Sequence, residues 1–418
     1  MPPRGTRDVL PQEGRRRERV LGVARERFAA YGYGPIVTPT FEETEVFVRG
    51  VGTSTDIVRK EMYTFEDRSG RSLTLRPEGT APVARAFVEH GMHKLPLPVK
   101  LSYVAPMFRY EAPQAGRYRE HWQVGVEAIG SEDPLLDVEV IALLADIYTR
   151  LDVPGISLRL GSMGDAASRG PYRELLVAYL DRFQGDLDPE SRDRLRDNPL
   201  RLFDSKDPRV QAVMAEAPKL LHHLSPEAQA HRERVRAGLD VLGISYVEDP
   251  TLVRGFDYYT RTVFEFTCDR LGAQSGIGGG GRYDGLVADL GGPDMPGIGF
   301  GAGVERILLA LESASSDQET AGVVDVYLAV TEPSLRVDLL PVLQALRARD
   351  IRCESDVRGD RGMKAMLRHA SSLGARVTII VGPREAEAGM ATVRDMTAGD
   401  QREIALEEVV DGVERMLA

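Results

Sequence analysis

The chain has 418 residues, of which 42% are hydrophobic and 28% are charged, and its formal net charge is -11. This length allows two or three domains with ample core, and the composition is typical of a globular protein. The negative charge excludes an overall basic field, so any contact with nucleic acid must depend on local basic patches.

The cysteines and the N-terminal residues exclude further classes. Cys268 and Cys353 lie far apart and lack metal-ligand spacing, so neither a disulfide framework nor a zinc site is predicted. The first residues, Met-Pro-Pro-Arg-Gly-Thr-Arg-Asp, contain no apolar stretch of a signal peptide. No run of about 18 apolar residues is present to span a membrane. The chain is therefore expected in the cytoplasm, without a membrane partner.

A helix and a short strand open the chain. Residues 11–32 place apolar side chains on one face and arginines and glutamates on the other, which predicts an amphipathic helix. Residues 35–39 predict a strand ending at Pro39, which cannot donate a hydrogen bond to a neighbouring strand. The strand is therefore expected at a sheet edge or an interface, although plain scaffold shows the same pattern.

A polar turn joins a strand to a helix within residues 72–89. Alternating leucines predict the strand, and Pro77 ends it. Glu78 and Thr80 follow at the turn into the helix. Thr80 could be the N-cap and Glu78 a solvated carboxylate, or both could bind the ammonium group of a ligand. The local pattern favours the first interpretation.

A hairpin of two strands forms the second polar region. Residues 99–110 predict a strand with Arg109 at its end, and residues 122–129 predict the return strand. Gln123 and Glu127 point to the same face of that return strand. A carboxylate buried without a partner is costly, so a positive or hydrogen-bond-donating group is expected beside Glu127.

Helices dominate the middle of the chain. Residues 135–151 predict an apolar helix, and residues 166–242 predict a mostly helical, charged insertion. Residues 198–206 are an irregular interruption of this insertion. The chain is expected to return to the main sheet at about residue 251.

The stretch at residues 251–267 combines a strand with an unusual group of polar side chains. Residues 259–267 are rich in aromatic and β-branched residues and predict a strand. The preceding polar side chains are those of Arg254, Asp257, Tyr258 and Tyr259. A guanidinium group can bind a carboxylate or phosphate through two parallel hydrogen bonds, which favours a site for a small anionic molecule. Spacing alone leaves open an ordinary strand with Arg254 in a surface ion pair.

A glycine-rich stretch covers residues 273–286. Gly276, Gly278 and Gly281 match G-x-G-x-x-G, which alone is weak evidence for a dinucleotide fold. The unbroken glycines and the lack of a surrounding βαβ unit disfavour that fold. Close approach of the backbone to a ligand, which glycine permits, is the favoured interpretation. No G-x-x-x-x-G-K-[ST] pattern occurs, so a P-loop is excluded.

A strand running into a helix precedes a domain boundary. Residues 297–310 predict that pair, with Arg306 in the first helical turns, where it could meet a phosphate or lie at the surface. Residues 313–322 are a polar linker, beyond which alternating strands and helices predict an α/β domain with a mixed sheet. Its basic residues could form a solvated face or a patch for nucleic-acid phosphate: Arg347, Arg349, Arg352, Arg358, Arg361, Lys364 and Arg368.

Together these segments resemble the histidyl-tRNA synthetases, a family of class II aminoacyl-tRNA synthetases, over essentially the whole chain. Residues 4–8 resemble the family's start, and the segment ending at Pro39 resembles the class II motif of the dimer interface. Residues 108–127 and 299–306 resemble class II motifs 2 and 3. Residues 252–259 and the glycine-rich stretch resemble the two histidine-specific motifs.

The resemblance implies an α+β fold and a homodimer. Residues 1–320 would form a class II catalytic domain, whose antiparallel sheet is flanked by helices and interrupted by the helical insertion at about 166–242. Residues 323–418 would form an α/β anticodon-binding domain. The implied activity is the ATP-dependent, AMP-forming ligation of histidine to the 3′ end of tRNA-His.

The resemblance also implies which residues bind the substrate histidine. Glu78, Thr80 and Gln123 would bind the α-ammonium group of histidine and its surroundings. Glu127 and Tyr259 would bind the two imidazole nitrogens, and Tyr258 would lie in the same pocket. Arg254 would bridge the substrate carboxylate and the α-phosphate, a role that other class II enzymes give partly to a metal ion. Arg254 and Arg109 would be the catalytic cations.

ATP and Mg²⁺ are implied as cosubstrate and cofactor, without a metal site made by protein side chains. The residues implied for ATP are Arg109 at the α-phosphate, Arg306 at the γ-phosphate, and Glu111, Arg117 and His121. Gln114 and Arg119 would face the acceptor end of tRNA-His.

Two positions depart from the family's pattern. His121 stands where the family usually has a phenylalanine that stacks on adenine; a histidine ring stacks more weakly, and Trp122 could compensate. Ala112 stands where the family often has arginine, which bears on the contact with the acceptor end.

The synthetase-like regulatory subunit of ATP phosphoribosyltransferase is the alternative to a ligase. That paralogue lacks the anticodon-binding domain and has degraded catalytic motifs. The additional domain and the presence of Arg109, Arg254 and Arg306 favour the ligase.

Overall fold

The computed structural model describes residues 1–53, 55–112, 116–185, 187–188, 191–192, 195, 198–272, 275–313, 324–357 and 361–417. The chain divides into two compact units, Met1–Ser315 and Ser316–Ala418. Within the described ranges, no helix combines the length and apolar character that crossing a bilayer requires.

The first unit contains a large sheet, a small sheet and surrounding helices. Its strands are β1 (Gly34–Pro35), β2 (Phe41–Glu43), β3 (Tyr63–Glu66), β4 (Ser72–Leu75), β5 (Val99–Phe108), β6 (Glu120–Ile129), β7 (Ile156–Ser162), β8 (Tyr246–Glu248), β9 (Thr260–Cys268), β10 (Gly276–Arg282) and β11 (Gly297–Gly303). Its α-helices are α1 (Pro11–Ala30), α2 (Thr44–Val51), α3 (Thr80–Glu89), α4 (Pro134–Arg150), α5 (Ala166–Leu180), α6 (Pro208–Ala215), α7 (Pro226–Val241), α8 (Leu286–Asp289) and α9 (Val304–Glu312). Single helical turns cover Ile57–Glu61, Met92–Lys94, Asp181–Phe183, Pro199–Asp204, Leu220–His222 and Asp269–Leu271.

The large sheet has the strand order β1-β5-β6-β11-β10-β9-β7-β8. Its neighbours are antiparallel except at the two edges, where β1 pairs with β5 and β7 with β8 in parallel. Apolar side chains of β6, β9 and β11 pack against α1, α4, α7 and α9 on one face. The predicted antiparallel sheet flanked by helices is confirmed. A second, three-stranded sheet has the order β2-β4-β3.

Strand β6 shows how alternation sorts side chains between the two faces. Val124, Val126 and Ala128 are fully buried in the core beneath the helices. Gln123 and Glu127 lie on the opposite face, as predicted. That opposite face is the one that carries the polar residues of the candidate site.

Two predictions about elements of the first unit require correction, and one stretch without a predicted element forms a strand. The predicted strand at 35–39 ends at Pro35, and Arg76 then binds the carbonyl groups of Thr38 and Pro39 at 2.9 and 3.2 Å. The glycine-rich stretch forms β10 at the centre of the sheet, because neighbours on both sides supply hydrogen bonds that outweigh glycine's weak strand propensity. The predicted interruption at 198–206 contains the helical turn Pro199–Asp204.

The second unit is a mixed sheet covered by helices. Its elements are β12 (Val326–Val330), α10 (Leu340–Arg347), β13 (Cys353–Ser355), α11 (Met363–Ser372), β14 (Val377–Val381), α12 (Pro383–Glu387), β15 (Met390–Asp395), β16 (Gln401–Ala405) and α13 (Val409–Leu417), with a helical turn at Pro333–Arg336. The strand order is β13-β12-β14-β15-β16, parallel among the first three strands and antiparallel at the last two. The mixed sheet is confirmed, whereas α12 and β16 were not predicted. Residues 314–323, most of the predicted linker, lie outside the described residues.

A buried ion pair joins β10 to α4. Arg282 and Asp137 have no exposed surface, and Arg282 donates to the two carboxylate oxygens at 3.1 and 2.7 Å. Arg282 also donates to the carbonyl of Ser131 at 2.8 Å, and Nε2 of His231 lies 3.2 Å from Asp137. Hydrogen bonds to most of the charged atoms offset the cost of removing them from water.

Arg282→Met should therefore destabilise the first unit by about 3–5 kcal/mol, because it leaves the Asp137 carboxylate buried without its main partner. Urea unfolding followed by the fluorescence of Trp122, the only tryptophan in the chain, reports on this unit. Arg270→Met is the matched control: Arg270 is about half exposed and lies 3.8 Å from Asp269, so a loss below about 1 kcal/mol is expected. Equal losses in the two variants would contradict the prediction.

Candidate active site

The polar face of the large sheet lines a cavity of about 320 Å³ in the first unit. The predicted site residues that line it are Glu78, Thr80, Arg109, Glu111, Arg117, His121, Gln123, Arg254, Tyr258, Tyr259 and Arg306. Glu127 is fully buried and contacts the lining residue Thr80. The structure thus brings together groups that are widely separated in sequence.

Glycines form the floor of this cavity. Gly279 pairs with Gly301, and Gly281 with Gly299, across the two central strands β10 and β11. These four residues line the cavity. A Cβ atom at Gly299 would lie 2.0 Å from Oε2 of Glu127. Glycine is therefore required there because side chains of this protein, as well as any ligand, lie directly against the backbone.

Glu127 already has the donors that its burial demands. Thr80 donates from its hydroxyl to Oε1 at 2.8 Å, and Tyr283 donates to Oε2 at 2.6 Å. Burial raises the pKa of Glu127 to about 8, although the hydrogen bonds from Tyr283 and Thr80 oppose that rise. The Glu127 carboxyl group in this structure therefore holds a proton near neutral pH.

The Glu78 side chain binds the first backbone N–H groups of helix α3, which the sequence did not predict. Its carboxylate accepts hydrogen bonds from the backbone N–H groups of Thr80 at 2.6 Å and Ala81 at 2.8 Å. Thr80 is not the N-cap, which is Gly79, and its hydroxyl is directed to Glu127. Glu78 is only 3% exposed, so the expectation of a solvated carboxylate is wrong. Burial raises the pKa of Glu78, although those backbone hydrogen bonds lower it.

Arg254 lies over the glycine floor. A Cβ atom at Gly279 would lie 3.2 Å from its Nη1, and that nitrogen donates to Oε1 of Glu265 at 2.7 Å. Arg254 is thus ion-paired, as one interpretation of the sequence predicted, but the pair lies in the cavity and not on an open surface. Its buried Nε–H has no acceptor among the described residues. Arg254 therefore retains a hydrogen-bond donor inside the site.

The other arginines of the cavity are held by short polar contacts. Arg109 donates from Nε to the Pro77 carbonyl at 2.8 Å, and Glu111 lies 3.7 Å from Arg109 and 3.3 Å from Arg117. Arg306 donates from Nε to the carbonyl of Gly276 at 3.1 Å. These contacts fix guanidinium groups around one space, where their charges can stabilise phosphate.

His121 is a neutral ring in this environment. Burial lowers its pKa to about 3, and the positive charges of Arg109 and Arg117 lower it further. A neutral imidazole can stack against an aromatic base without adding a charge to the site.

Arg119, one of the two predicted acceptor-end residues, does not line the cavity. Arg119 stacks on the ring of Tyr110 at 3.7 Å and donates to the carbonyl of Arg4 at 3.3 Å. Gln114 lies outside the described residues. The structure therefore places Arg119 against the N-terminal segment, beside the cavity's lining residue Glu111, whose carbonyl it approaches at 3.4 Å.

Models of two known protein families match this chain, one in each of its two units. A family model for histidyl-tRNA synthetase matches residues 5–167 and 187–307. The chain belongs to the histidyl-tRNA synthetase family. A second model, for the anticodon binding domain, matches residues 325–416.

Full-length relatives agree with this family. The histidine–tRNA ligase of Moorella thermoacetica is 50% identical and covers 99% of this chain and 98% of its own. That of Rubrobacter xylanophilus is 48% identical over 96% of each chain. The crystal structure of apo histidyl-tRNA synthetase from S. aureus has a TM-score of 0.83 at 37% identity and covers 99% of both chains. The predicted family and its α+β fold are confirmed.

Sequence reasoning missed several residues of this synthetase site. Tyr283 donates to Glu127, Glu265 pairs with Arg254, and the Tyr103 ring occupies the space above Gly79 and Gly125. A signal was available for Glu265, since it alternates with Phe264 and Phe266 on β9 and so points away from the core. Tyr283 carries no comparable local signal, because its contact depends on the pairing of distant strands.

The basic residues predicted to form one cluster in the second unit lie in different surroundings. Arg349 pairs with Asp411 and Glu414, and Arg352 pairs with Asp325. Arg358 lies outside the described residues. Lys364 and Arg368 of α11 instead line a groove whose other residues are Met363, Leu367, Ser371, Arg394 and Met396. This groove combines positive charge with apolar side chains.

In the absence of histidine, the Glu127→Gln variant should become more stable relative to the wild type as pH rises. The folded-state pKa of Glu127, about 8, exceeds its ordinary value of 4.5, so between these values the unfolded chain has lost a proton that the folded protein keeps. The wild-type free energy of unfolding should therefore fall relative to the variant by about 1.4 kcal/mol per pH unit between roughly pH 5 and 8.

Unfolding monitored by Trp122 fluorescence at several pH values measures this difference. Glu66→Gln, at an exposed position, is the control and should follow the wild-type pH dependence. Parallel curves for wild type and Glu127→Gln would show that Glu127 is ionised in the folded protein at pH 7.

Proposed function

We propose that this chain is a histidine–tRNA ligase, which activates histidine with ATP as histidyl-adenylate and transfers it to the 3′ end of tRNA-His. Full-length relatives that are histidine–tRNA ligases support this function over the regulatory-subunit alternative. The observation that carries the proposal is one cavity in which four arginines adjoin a buried carboxyl group and several phenols. The arginines suit ATP, and the carboxyl and phenol groups suit an imidazole ring.

The histidine ring is proposed to bind at Glu127 and Tyr259. Glu127 offers a carboxyl group between two hydroxyl donors, and Tyr259 lies against Gly281, where a Cβ atom would be 2.9 Å from its ring. Groups on both sides can then accept from or donate to the two ring nitrogens. A site built on such hydrogen bonds strongly rejects amino acids that cannot complete them.

The α-ammonium group is proposed to bind between the remaining polar residues. Glu78, Thr80 and Gln123 line the cavity. Glu78 keeps its acceptor oxygens in position because the start of helix α3 holds them. Tyr258 stacks on Phe256 at 5.1 Å and closes the same pocket. Negative charge and fixed oxygens are the features that an ammonium group requires.

The triphosphate is proposed to lie along the arginines. Arg109 would contact the α-phosphate and Arg306 the γ-phosphate, with Arg117 and Glu111 beside them, and the neutral His121 ring would stack on adenine. The lining of one cavity by all five residues supports this assignment. Guanidinium groups bind phosphate through paired N–H donors.

The first chemical step is an in-line attack by the histidine carboxylate on the α-phosphorus. It requires positioning and positive charge rather than a general base. Arg254 is proposed to lie between the carboxylate and the phosphate, where its charge reduces their repulsion. The Glu265 contact fixes one of its nitrogens and leaves others for substrate.

Mg²⁺ is proposed to arrive with ATP. It is usually held by one or two carboxylates together with substrate phosphates. No group of three or more metal-ligating side chains occurs among the described residues. The cavity carboxylate Glu111 already contacts the guanidinium groups of Arg109 and Arg117, so the phosphates of ATP, and not Glu111, would hold the ion. When bound, the ion would neutralise charge on the triphosphate.

Residues 1–320 are proposed as the catalytic domain and residues 323–418 as the anticodon-binding domain. The cavity lies wholly in the first unit, and the second unit matches the anticodon binding domain model. Phosphates of tRNA can bind Lys364 and Arg368, and bases can pack against the apolar side chains of the groove beside them. Gln114 and Arg119 are proposed to contact the acceptor end of tRNA-His. The substrates, tRNA and ATP, favour a cytoplasmic location.

A homodimer is proposed because apolar side chains near the start of the chain are exposed. Val37 is 92% exposed and Phe41 is 49% exposed. Val37 follows β1, an edge strand of the large sheet, and Phe41 begins β2, an edge strand of the three-stranded sheet. Exposed apolar residues next to an open strand edge favour coverage by a second copy of the chain.

Arg254→Gln should reduce adenylate formation roughly 10²–10³-fold, by analogy with loss of one preorganised donor. The loss should appear mainly in kcat, because repulsion between the two anions is greatest in the transition state. Arg254→Lys should recover only part of the rate, since an ammonium group lacks the two-pronged contact. Transfer from preformed adenylate to tRNA should suffer less, because the attacking hydroxyl is neutral.

Single-turnover kinetics of both steps tests this prediction. Arg270→Gln is the control: it removes a cation that is about half exposed and does not line the cavity. Equal losses in both steps for Arg254→Gln, or a change confined to the histidine KM, would mean that Arg254 only binds substrate or supports the fold.

A fragment of residues 1–322 should retain histidine-dependent exchange of pyrophosphate into ATP but charge tRNA poorly. The cavity residues belong to the first unit, whereas the proposed anticodon contacts do not. Lys364→Glu/Arg368→Glu in the full chain should have the same selective effect without a deletion. Full charging efficiency in the fragment would show that the second unit does not contribute to tRNA binding.

A further inference from the structure

The loop that carries Arg254 depends on other segments for its position. Residues 251–259 lie between β8 and β9 and form neither helix nor strand. A Cβ atom at Gly255 would meet nothing within 4 Å, so the loop is open on that side. The sheet holds the Arg254 side chain through Glu265, but the backbone of the loop depends on contacts from other segments.

Arg201, on the helical turn Pro199–Asp204, holds the loop on the C-terminal side of Arg254. Its Nη2 donates to the carbonyl of Gly255 at 3.0 Å and to Oδ1 of Asp257 at 3.0 Å, and its Nε donates to Oδ1 at 3.3 Å. The Arg201 side chain is only 11% exposed. Charge-assisted hydrogen bonds of this kind are about twice as strong as neutral ones.

Two neighbours of Arg201 extend this contact. Asn198 donates from Nδ2 to Oδ1 of Asp257 at 3.0 Å. Leu200 packs in a cluster that includes Leu252 and Tyr259. Residues 198–201 therefore contact the loop both before and after Arg254.

The opposite side of the loop meets the end of helix α2. Asp257 donates its backbone N–H to the carbonyl of Val51 at 3.2 Å, and a Cβ atom at Gly52 would lie 2.6 Å from Oδ2 of Asp257. Gly52 has a φ of 98°, which other residues rarely adopt. Asp257 is thus held between α2 on one side and Arg201 with Asn198 on the other.

We propose that Arg201 is a positioning residue for adenylate formation, acting through Gly255 and Asp257 on the placement of Arg254. It does not line the cavity, so its effect must be transmitted by the loop. The turn that carries it lies in the helical region between β7 and β8, outside the large sheet. This inference depends on the proposed function of Arg254.

Arg201→Ala should lower the single-turnover rate of adenylate formation about 10- to 100-fold, because displacement of a positioned group by about 1 Å costs up to 10²-fold. Arg201→Lys should recover part of that rate, since one ammonium group can reach Gly255 or Asp257 but cannot form the forked contact. Arg209→Ala is the control from the same region: Arg209 is 68% exposed and pairs with Asp207, and its loss should not change the rate.

A double-mutant comparison separates positioning from general stability. If Arg201 acts through Arg254, Arg201→Ala should add little to the loss already caused by Arg254→Gln. Full additivity of the two losses, or a lowered Tm with an unchanged rate well below that Tm, would overturn the proposal. If Arg201→Ala does not fold, Asn198→Ala and Arg201→Lys decide in its place, and unchanged rates in both would overturn it.

The same assays distinguish failure of this inference from failure of the proposed function. A wild-type protein without histidine-dependent pyrophosphate exchange would contradict the ligase itself. A wild type that exchanges normally, beside an Arg201→Ala protein of equal rate, would contradict only the positioning role.

Discussion

Bare backbone at the centre of the large sheet is the constraint on which the site depends. Alternate residues on one face of β10 and β11 are glycines, and they pair with each other across the two strands. A side chain at Gly299 would collide with Glu127, and one at Gly279 would lie against Arg254. Because these glycines carry no side chains, the polar groups around the cavity can approach both the backbone and a ligand closely.

Two buried carboxyl groups in this unit are stabilised in different ways. Arg282 and Asp137 neutralise each other with several hydrogen bonds, and although burial raises the Asp137 pKa, His231 and Arg282 outweigh it and lower that pKa. Glu127 accepts from the neutral hydroxyl groups of Thr80 and Tyr283 at 2.8 and 2.6 Å, and burial keeps it protonated. The first arrangement fixes the end of β10, and the second leaves a group that can respond to a basic ring.

Separate segments supply the walls of the site, and each is held by contacts outside it. The N–H groups of α3 hold Glu78, Glu265 of β9 holds Arg254, and the turn at Pro199–Asp204 holds the loop through Asp257. The helical region therefore contributes to the site without lining it. Such support is what keeps preorganised groups in a productive geometry.

The sequence by itself determined the alternation of β6, with Gln123 and Glu127 on one face, and the resemblance that named the family. These features depend on local periodicity and on side-chain type. Only the tertiary structure decided that Glu78 binds the start of α3, that Thr80 and Tyr283 donate to Glu127, and that the glycine-rich stretch is a central strand. The two contacts to Glu127 join residues 47 and 156 positions apart, and no local pattern encodes a hydrogen bond that forms only when distant strands pair.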